Sequence, residues 1–424
     1  MTSLEHIASC VSGYDPNALP VDKAQEFIRR FVPRVDTVEK LPLRSALGRV
    51  LATDVVSPID VPAHDNSAMD GYALRGTDLA TDGPTRLRIA GTALAGQAFE
   101  GRLAPGECVR IMTGAVMPEG LDTVVPQEFC HLDADVVSIP AGAVRPGDNR
   151  RLRGEDLACG RPALPAGKIL RPADLGLLAS LGQAEVPVFR RLRVAFFSTG
   201  DELRSIGEPL EPGCVYDSNR YTIHGMLQRL GVELLDLGVV RDDPQALEAA
   251  FRQAAESADA IITSGGVSVG EADFTKQMMA RLGEVAFWRI AMRPGRPMAF
   301  GRIESRGRQA ILFGLPGNPV AVMITFYAFV REALLVMGGA MPPALPLLRA
   351  HTEQALRKKP GRTEYQRGIV RLVDGRWQVR ITGSQGSGIL RSMSEANGLV
   401  VLHHDQGPVA EGDLVDVLPF EGLI

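Results

Sequence analysis

The sequence predicts a multidomain α/β protein. A three-layer α/β domain spans 191–340, a β-rich insert spans 63–149, an extended helical arm combines 1–62 with 150–190, and a C-terminal β-barrel spans 341–424. Three observations carry this reading. Strand-like and helix-like runs alternate from 193 to about 338, which implies a largely parallel sheet with helices on both faces. Two flanking regions hold short alternating strands broken by Gly and Pro. The 424 residues also exceed what one core holds, since single cores stop growing at roughly 250–300 residues.

Taken in order, the arm opens with helical segments at 21–32 and 43–47, broken by Pro33, Pro42, Pro58 and Pro62. In the insert, strands are read at 86–89, 108–112, 123–126 and 136–139. A helix at 173–181 then restores the arm's texture, which makes the β-rich unit an insertion between two halves of one domain. In the α/β domain, strands are read at 193–198, 232–240, 259–263 and 310–315. Helices are read at 218–230, 244–255, 275–282 and 319–337, the second with Asp243 at its N-cap and Pro244 at its first position. Past the hinge at Met341-Pro342-Pro343, strands at 368–372, 377–381, 398–402 and 414–418 suit a small barrel.

Composition narrows the function. Charged residues make up 23% of the chain and the net charge is −4, so no basic nucleic-acid surface or polybasic membrane contact is expected. The five cysteines are scattered without a CxxC, which points to a reducing compartment and away from a thiolate metal site. The N-terminus lacks a basic, apolar signal segment, and a cytoplasmic protein is expected.

The chemistry collects at strand ends. In an open parallel sheet, ligands bind beyond the carboxyl ends of the strands. Four loops leave those ends: Thr199-Gly200-Asp201-Glu202, Arg241-Asp242, the 264–273 loop, and Pro316-Gly317-Asn318. The third, within TSGGVSVGEADF (263–274), has Ser264, Gly265, Gly266, Ser268 and Gly270 ahead of a helix, a pattern that lets backbone N–H groups approach a phosphate. A single acid in such a loop is more often an N-cap. Four loops converging on one edge reverse that preference and offer Glu202, Asp242 and Asp273 to one or two divalent cations, with Mg²⁺ suited to an all-oxygen set. Arg289, Arg293 and Arg296 lie around a Pro-Gly turn and suit bidentate oxyanion recognition; a charged hairpin edge is the alternative. Two further strings, around Asp65 in DNSAMDGY and Asp156 in RGED, read equally well as ordinary turns on pattern alone.

Together these strings resemble the molybdopterin molybdenumtransferase family, the bacterial MoeA proteins and the E domain of gephyrin. The resemblance spans the chain through DNSAMDGYAL (65–74), IMTGA (111–115), RGED (153–156), STGDEL (198–203), YDSNR (216–220), RDD (241–243), TSGGVSVGEADF and GLPGNPVA (314–321), in that order. It implies that the central domain binds molybdopterin. The expected reaction inserts molybdate into adenylylated molybdopterin, with cation-dependent release of AMP. It further implies an elongated homodimer whose active site lies between the α/β domain of one subunit and the β-rich domain of the other. The acids implied at the site are Asp65, Asp156, Glu202, Asp242 and Asp273, with Thr113 and the 264–270 loop beside them, and Ser384 and Ser387 in a loop reaching toward the pterin. Arginines at 289, 293 and 296 stand where the family pattern has lysines, so a planar fork replaces a point charge. Transient contacts with molybdopterin adenylyltransferase and synthase are also implied. Two rivals are a molybdopterin adenylyltransferase on the same α/β module and a gephyrin-like scaffold. The insert and barrel argue against the first, and the retained acids against the second.

Overall fold

A computed structural model of the chain describes residues 3–266, 273–342 and 344–422, and for 273–277 it describes the backbone alone. The central sheet has six strands: β1 (Arg193–Thr199), β2 (Glu233–Val240), β3 (Ala260–Ser264), β4 (Gly283–Arg289), β5 (Pro297–Ser305) and β6 (Arg308–Leu315). Their spatial order is β2-β1-β3-β6-β5-β4. The first four are mutually parallel, while β5 is antiparallel to both of its neighbours, β6 and β4. The parallel alternation expected from sequence therefore covers only part of the sheet. The basic segment around Arg289, Arg293 and Arg296, for which a charged hairpin edge was the alternative reading, connects β4 and β5, which do pair as an antiparallel hairpin.

Alternation along each strand builds two cores. On one face Val194, Phe196, Ile262, Phe300 and Phe313 pack against Ile223 and Leu227 of helix α1 (Ser218–Arg229) and against the helical run Pro319–Met337. On the other, Ala195, Phe197, Ile261 and Leu312 pack against Leu247 and Phe251 of α2 (Pro244–Ser257) and Met278 of α3 (Asp273–Leu282). The run Pro319–Met337 is apolar and long enough to cross a membrane by composition, yet 67% of its most apolar window is buried in this core. At Phe326–Val330 it widens into a π-helical turn.

Residues expected in the arm divide. Helix Val21–Phe31 has Val21, Ala24, Phe27, Ile28 and Phe31 on one buried stripe, and that stripe packs on the central sheet's core rather than on the arm. Phe27 lies edge-on to Trp288 at 5.1 Å, and the Trp288 indole N–H donates to Tyr14 Oη at 2.9 Å. An amphipathic pattern says that a helix face is buried, not against what. Strand Val38–Pro42 pairs antiparallel with Glu185–Phe189, and Val55–Val56 pairs with Pro162–Leu164, over a separate core of Leu51, Leu170, Leu178 and Val188. The helix expected at 43–47 is a single 3₁₀ turn, Leu43–Ser45.

Between these halves, Thr123–Pro126, Gly71–Leu74, Glu107–Ile111, Thr85–Ala93, Val136–Ile139 and His131–Asp133 form one sheet in that order. Gly71–Leu74 escaped the sequence reading because it is four residues long and buried on both faces, so it shows no alternation. The C-terminal strands Leu348–Thr352, Thr363–Val373, Arg376–Ile381, Gly398–Leu402 and Leu414–Pro419 close into a barrel, because Thr363–Val373 pairs with both Arg376–Ile381 and Gly398–Leu402. Met292–Arg293, in the excursion between β4 and β5, adds to this barrel in parallel with Thr363–Glu364. That addition fixes the barrel against the end of the central sheet.

Candidate active site

A cleft of about 730 Å³ opens at the carboxyl ends of β1, β3 and β6. Its floor is two glycine turns, Gly265-Gly266 after β3 and Pro316-Gly317-Asn318 after β6. Glycine is required at 265: φ is +93°, and a Cβ there would lie 2.4 Å from the Thr199 carbonyl oxygen. The opposite wall is cationic. β5 and β6 pair Ala299 with Gly314, so the excursion preceding Pro297 reaches the same sheet end, and Arg293 and Arg296 line the cleft. From the barrel come Arg362 and Gln385-Gly386-Ser387. Glu202 and Asp242 complete the lining, and the Thr199 hydroxyl donates to Asp242 Oδ1.

Two larger depressions have different chemistry. One of about 1050 Å³, between helix Val21–Phe31 and the barrel, is walled largely by apolar side chains and holds neither glycine turn. Another of about 1040 Å³ borders Gly200 and Asp242 from the side of β2. Glycine turns and arginines meet in the smaller cleft, which makes it the candidate active site.

The expected site residues fall into five groups. Gly265, Gly266, Pro316, Gly317, Asn318, Glu202, Asp242, Arg293, Arg296 and Ser387 line the cleft. Ser264 lies beneath it, 2% exposed, with its hydroxyl engaged by Asn219; Ser384 lies behind it, offering its carbonyl to Arg367. Arg289 does not line the cleft. It ends β4, and its N–H and carbonyl bond to Pro16 and Leu19, which leaves the side chain on an exposed face. Ser268, Gly270 and the Asp273 side chain lie outside the described residues. Among the described residues no group of three His, Cys, Asp or Glu side chains could hold a metal ion; the pair Glu202 and Asp242 is the carboxylate set they offer at the cleft.

Asp65, Thr113 and Asp156 form the fifth group, on loops of the insert and arm, and none of them lines the cleft of this chain. Asp65 Oδ1 accepts from the Arg153 N–H at 2.8 Å, and Arg150 Nε lies 3.7 Å from its other oxygen. Thr113 donates both its N–H and its hydroxyl to Asp70 Oδ1, each at 2.7 Å. Asp156 donates its N–H to the Val61 carbonyl and leaves its carboxylate exposed.

The Thr113 N–H first, and its hydroxyl second, hold the Asp70 carboxyl below the usual carboxylate range. A depressed acid contributes stability that is present above its unfolded pKa and lost as pH falls through its folded pKa. The Thr113 amide resonance is therefore expected to stay native through the ordinary carboxylate range and move only below it. Asp70→Asn should remove that step, and Asp70→Ala should reduce amide protection in the 111–115 loop about tenfold, the equivalent of one ordinary hydrogen bond. A Thr113 amide that titrates identically in wild type and Asp70→Asn would show that Asp70 does not hold it.

Sequence reasoning missed Arg362 and Arg367, and it left Asn219, inside YDSNR, and Gln385, inside the 384–387 loop, without roles of their own. Arg367 is fully buried, and its guanidinium donates to the Ser384, Gln385 and Gly386 carbonyls and to Ser392 Oγ. Burial, with Arg293 nearby as a smaller cause, pushes it down to about 10, still charged at neutral pH. A buried arginine inside a strand was the available signal, but the sequence does not show burial.

Comparison with known proteins gives the same outline. Residues 19–182 match the model of the MoeA N-terminal region (domain I and II), 195–336 that described as "Probable molybdopterin binding domain", and 349–420 that of the MoeA C-terminal region (domain IV). The chain is 41% identical to the molybdopterin molybdenumtransferase of Haemophilus influenzae, covering 96% of this chain and 100% of that protein. It is 38% identical to the molybdopterin molybdenumtransferase of a Nostoc species, over 97% of this chain and 96% of that one. The crystal structure of the molybdopterin biosynthesis moeA protein from Pyrococcus horikoshii OT3 superposes with a TM-score of 0.81 at 28% identity, covering 95% of this chain and 100% of that chain.

Proposed function

Since this chain belongs to the molybdopterin molybdenumtransferase family, we propose that it inserts molybdate into adenylylated molybdopterin, releasing AMP and leaving molybdenum on the dithiolene. The observation that carries the reading is the cleft itself, with two glycine turns facing Arg293, Arg296 and Arg362. Backbone N–H groups at such turns hold phosphate oxygens. Arginine forks suit a tetrahedral oxyanion, which molybdate is.

The carboxylates fit a hard cation. Mg²⁺ is commonly held by one or two carboxylates plus substrate phosphates, and Glu202 and Asp242 supply that number, with Asp273 as a third candidate. Mg²⁺, when bound, neutralises charge developing on the leaving phosphate. Thr199 orients the Asp242 carboxylate, and the barrel loop 385–387 closes the cleft from above. Asp65, Thr113 and Asp156 are supplied by the insert and arm of a second subunit, in a homodimer held by the arm (1–62 and 150–190). The enzyme works in the cytoplasm, with transient contacts to the adenylyltransferase and synthase that precede it.

Purified protein given adenylylated molybdopterin, Mg²⁺ and molybdate should release AMP only when both ions are present. Asp65→Ala, Glu202→Ala and Asp273→Ala should each lower turnover by about 100-fold or more, the size of removing one electrostatic contact to a transition state. Mixing Asp65→Ala with Glu202→Ala protein should restore about a quarter of wild-type activity, because half of the random dimers hold one intact site in two. No recovery on mixing, with subunit exchange verified, would mean that the acids act within one chain. Binding of the nucleotide substrate without AMP release would overturn the transferase reading.

A further inference from the structure

Beneath the cleft, one side-chain amide joins its two glycine turns. Asn219 is the second residue of α1, and its backbone is set by the Asp217 cap, whose carboxylate accepts from the Arg220 N–H at 3.1 Å. The side chain is 9% exposed and does not line the cleft. Its Nδ2 donates to Gly317 O at 2.7 Å and to Ser264 Oγ at 2.8 Å. The Ser264 hydroxyl in turn donates to Pro316 O at 3.4 Å. A backbone carbonyl can only accept, so Gly317 fixes which way the amide faces.

The tie stands where the sheet can no longer do the work. β3 and β6 are in register through Ser264 and Leu315, and the Gly265 N–H makes one more bond to Leu315 O at 3.2 Å. Beyond that point both chains leave the ladder, and a Cβ on Gly317 would lie 3.9 Å from the Gly265 Cα. We infer that Asn219 is a positioning residue, setting the spacing of the two turns so that their N–H groups converge on one phosphate. This rests on the anion-holding role given to those turns in the proposed function.

The test uses the full-length protein, with two readouts: steady-state turnover of adenylylated molybdopterin, and calorimetric binding of inorganic pyrophosphate. Asn219→Asp keeps the shape but cannot donate to Gly317 O, and Asn219→Ala removes both bonds. Each is expected to weaken pyrophosphate binding and raise KM about tenfold, and to lower kcat/KM about 100-fold, the effect of a misplacement near 1 Å. The thermal midpoint should fall only a few degrees, as expected for about two lost hydrogen bonds. Asn219→Ala combined with Ser264→Ala should cost little more than Asn219→Ala alone, since both remove one shared tie.

A lowered melting temperature with KM and pyrophosphate affinity within about twofold of wild type, the scale of an ordinary surface change, would make Asn219 merely structural and overturn the inference. Should the Asn219 variants fail to fold, Ser264→Ala cuts one leg without touching α1; the same shift in pyrophosphate affinity would support the inference, and none would overturn it. The two readings separate cleanly. Wild type that never releases AMP, with variants that bind pyrophosphate weakly, sinks the transferase reading and keeps the tie. Wild type that turns over, with Asn219 variants that match it, does the reverse.

Discussion

Gly265→Ala is expected to lower kcat/KM about 100-fold and the thermal midpoint by several degrees. Two costs act together. Alanine at φ +93° sits in sparsely populated backbone space, which costs about 1–3 kcal/mol. The new methyl would also lie 2.4 Å from the Thr199 carbonyl oxygen, a backbone atom on a central strand that cannot swing aside. Either the turn lifts away from the sheet or the end of β1 moves. Lifting the turn would take its N–H groups off the phosphate they are proposed to hold, and moving β1 would carry Thr199 and, through its hydroxyl, the Asp242 carboxylate. Gly225→Ala is the matched control, because that glycine lies exposed in α1 with ordinary φ and nothing within 4 Å. There alanine should stabilise by about 1 kcal/mol and leave kinetics unchanged. Normal kinetics for Gly265→Ala would mean that this turn does not hold the reacting group.

The floor of the cleft was legible from strand ends, whereas of its roof only the 384–387 loop came into view, and that through the family resemblance. Gly265, Gly266, Pro316–Asn318, Glu202 and Asp242 all come just after strand ends, and parallel strands deliver their outgoing loops to one edge. That inference needs only strand order and direction. Arg289 failed the same reasoning, because 289, 293 and 296 read as one basic patch while β4 ends at 289 and the excursion begins after it. Arg362, Gln385 and Arg367 belong to a barrel held beside the cleft by distant contacts, among them the pairing of Met292–Arg293 with its sheet and the Val320 N–H bond to Ser387 O. No local pattern encodes a two-residue pairing between distant segments. Asn219 was in view as part of YDSNR, but its amide acts on carbonyl and hydroxyl partners that only tertiary packing supplies. The Val21–Phe31 helix shows the same limit, since its apolar stripe was visible and its partner was not.

Arg367→Met should loosen the 383–389 loop and reduce kcat/KM by about 10- to 100-fold, chiefly through KM. Methionine fills similar space and removes a buried charge, so the desolvation cost of that charge, several kcal/mol, is relieved. Against this stand four hydrogen bonds from the guanidinium to the Ser384, Gln385 and Gly386 carbonyls and Ser392 Oγ, each worth about 1.5–3 kcal/mol when the donor is charged. The bonds outweigh the relief, and three loop carbonyls would be left without their donor. Gln385 adds a second clasp, accepting the Arg367 N–H on Oε1 at 2.8 Å and donating to the Thr382 carbonyl. The far end of the loop is held separately, by the Val320 N–H donating to Ser387 O at 3.0 Å. Loss of Arg367 should therefore free the barrel side of the loop first, while Ser387 keeps its tether to the central domain. Hydrogen exchange should rise across 383–389 and stay unchanged at 320–325. Arg367→Lys should not rescue, because an ammonium cannot span four acceptors that a planar fork reaches at once. Unchanged exchange in this loop would show that the barrel fold alone holds it, and that the buried guanidinium serves the core rather than the cleft.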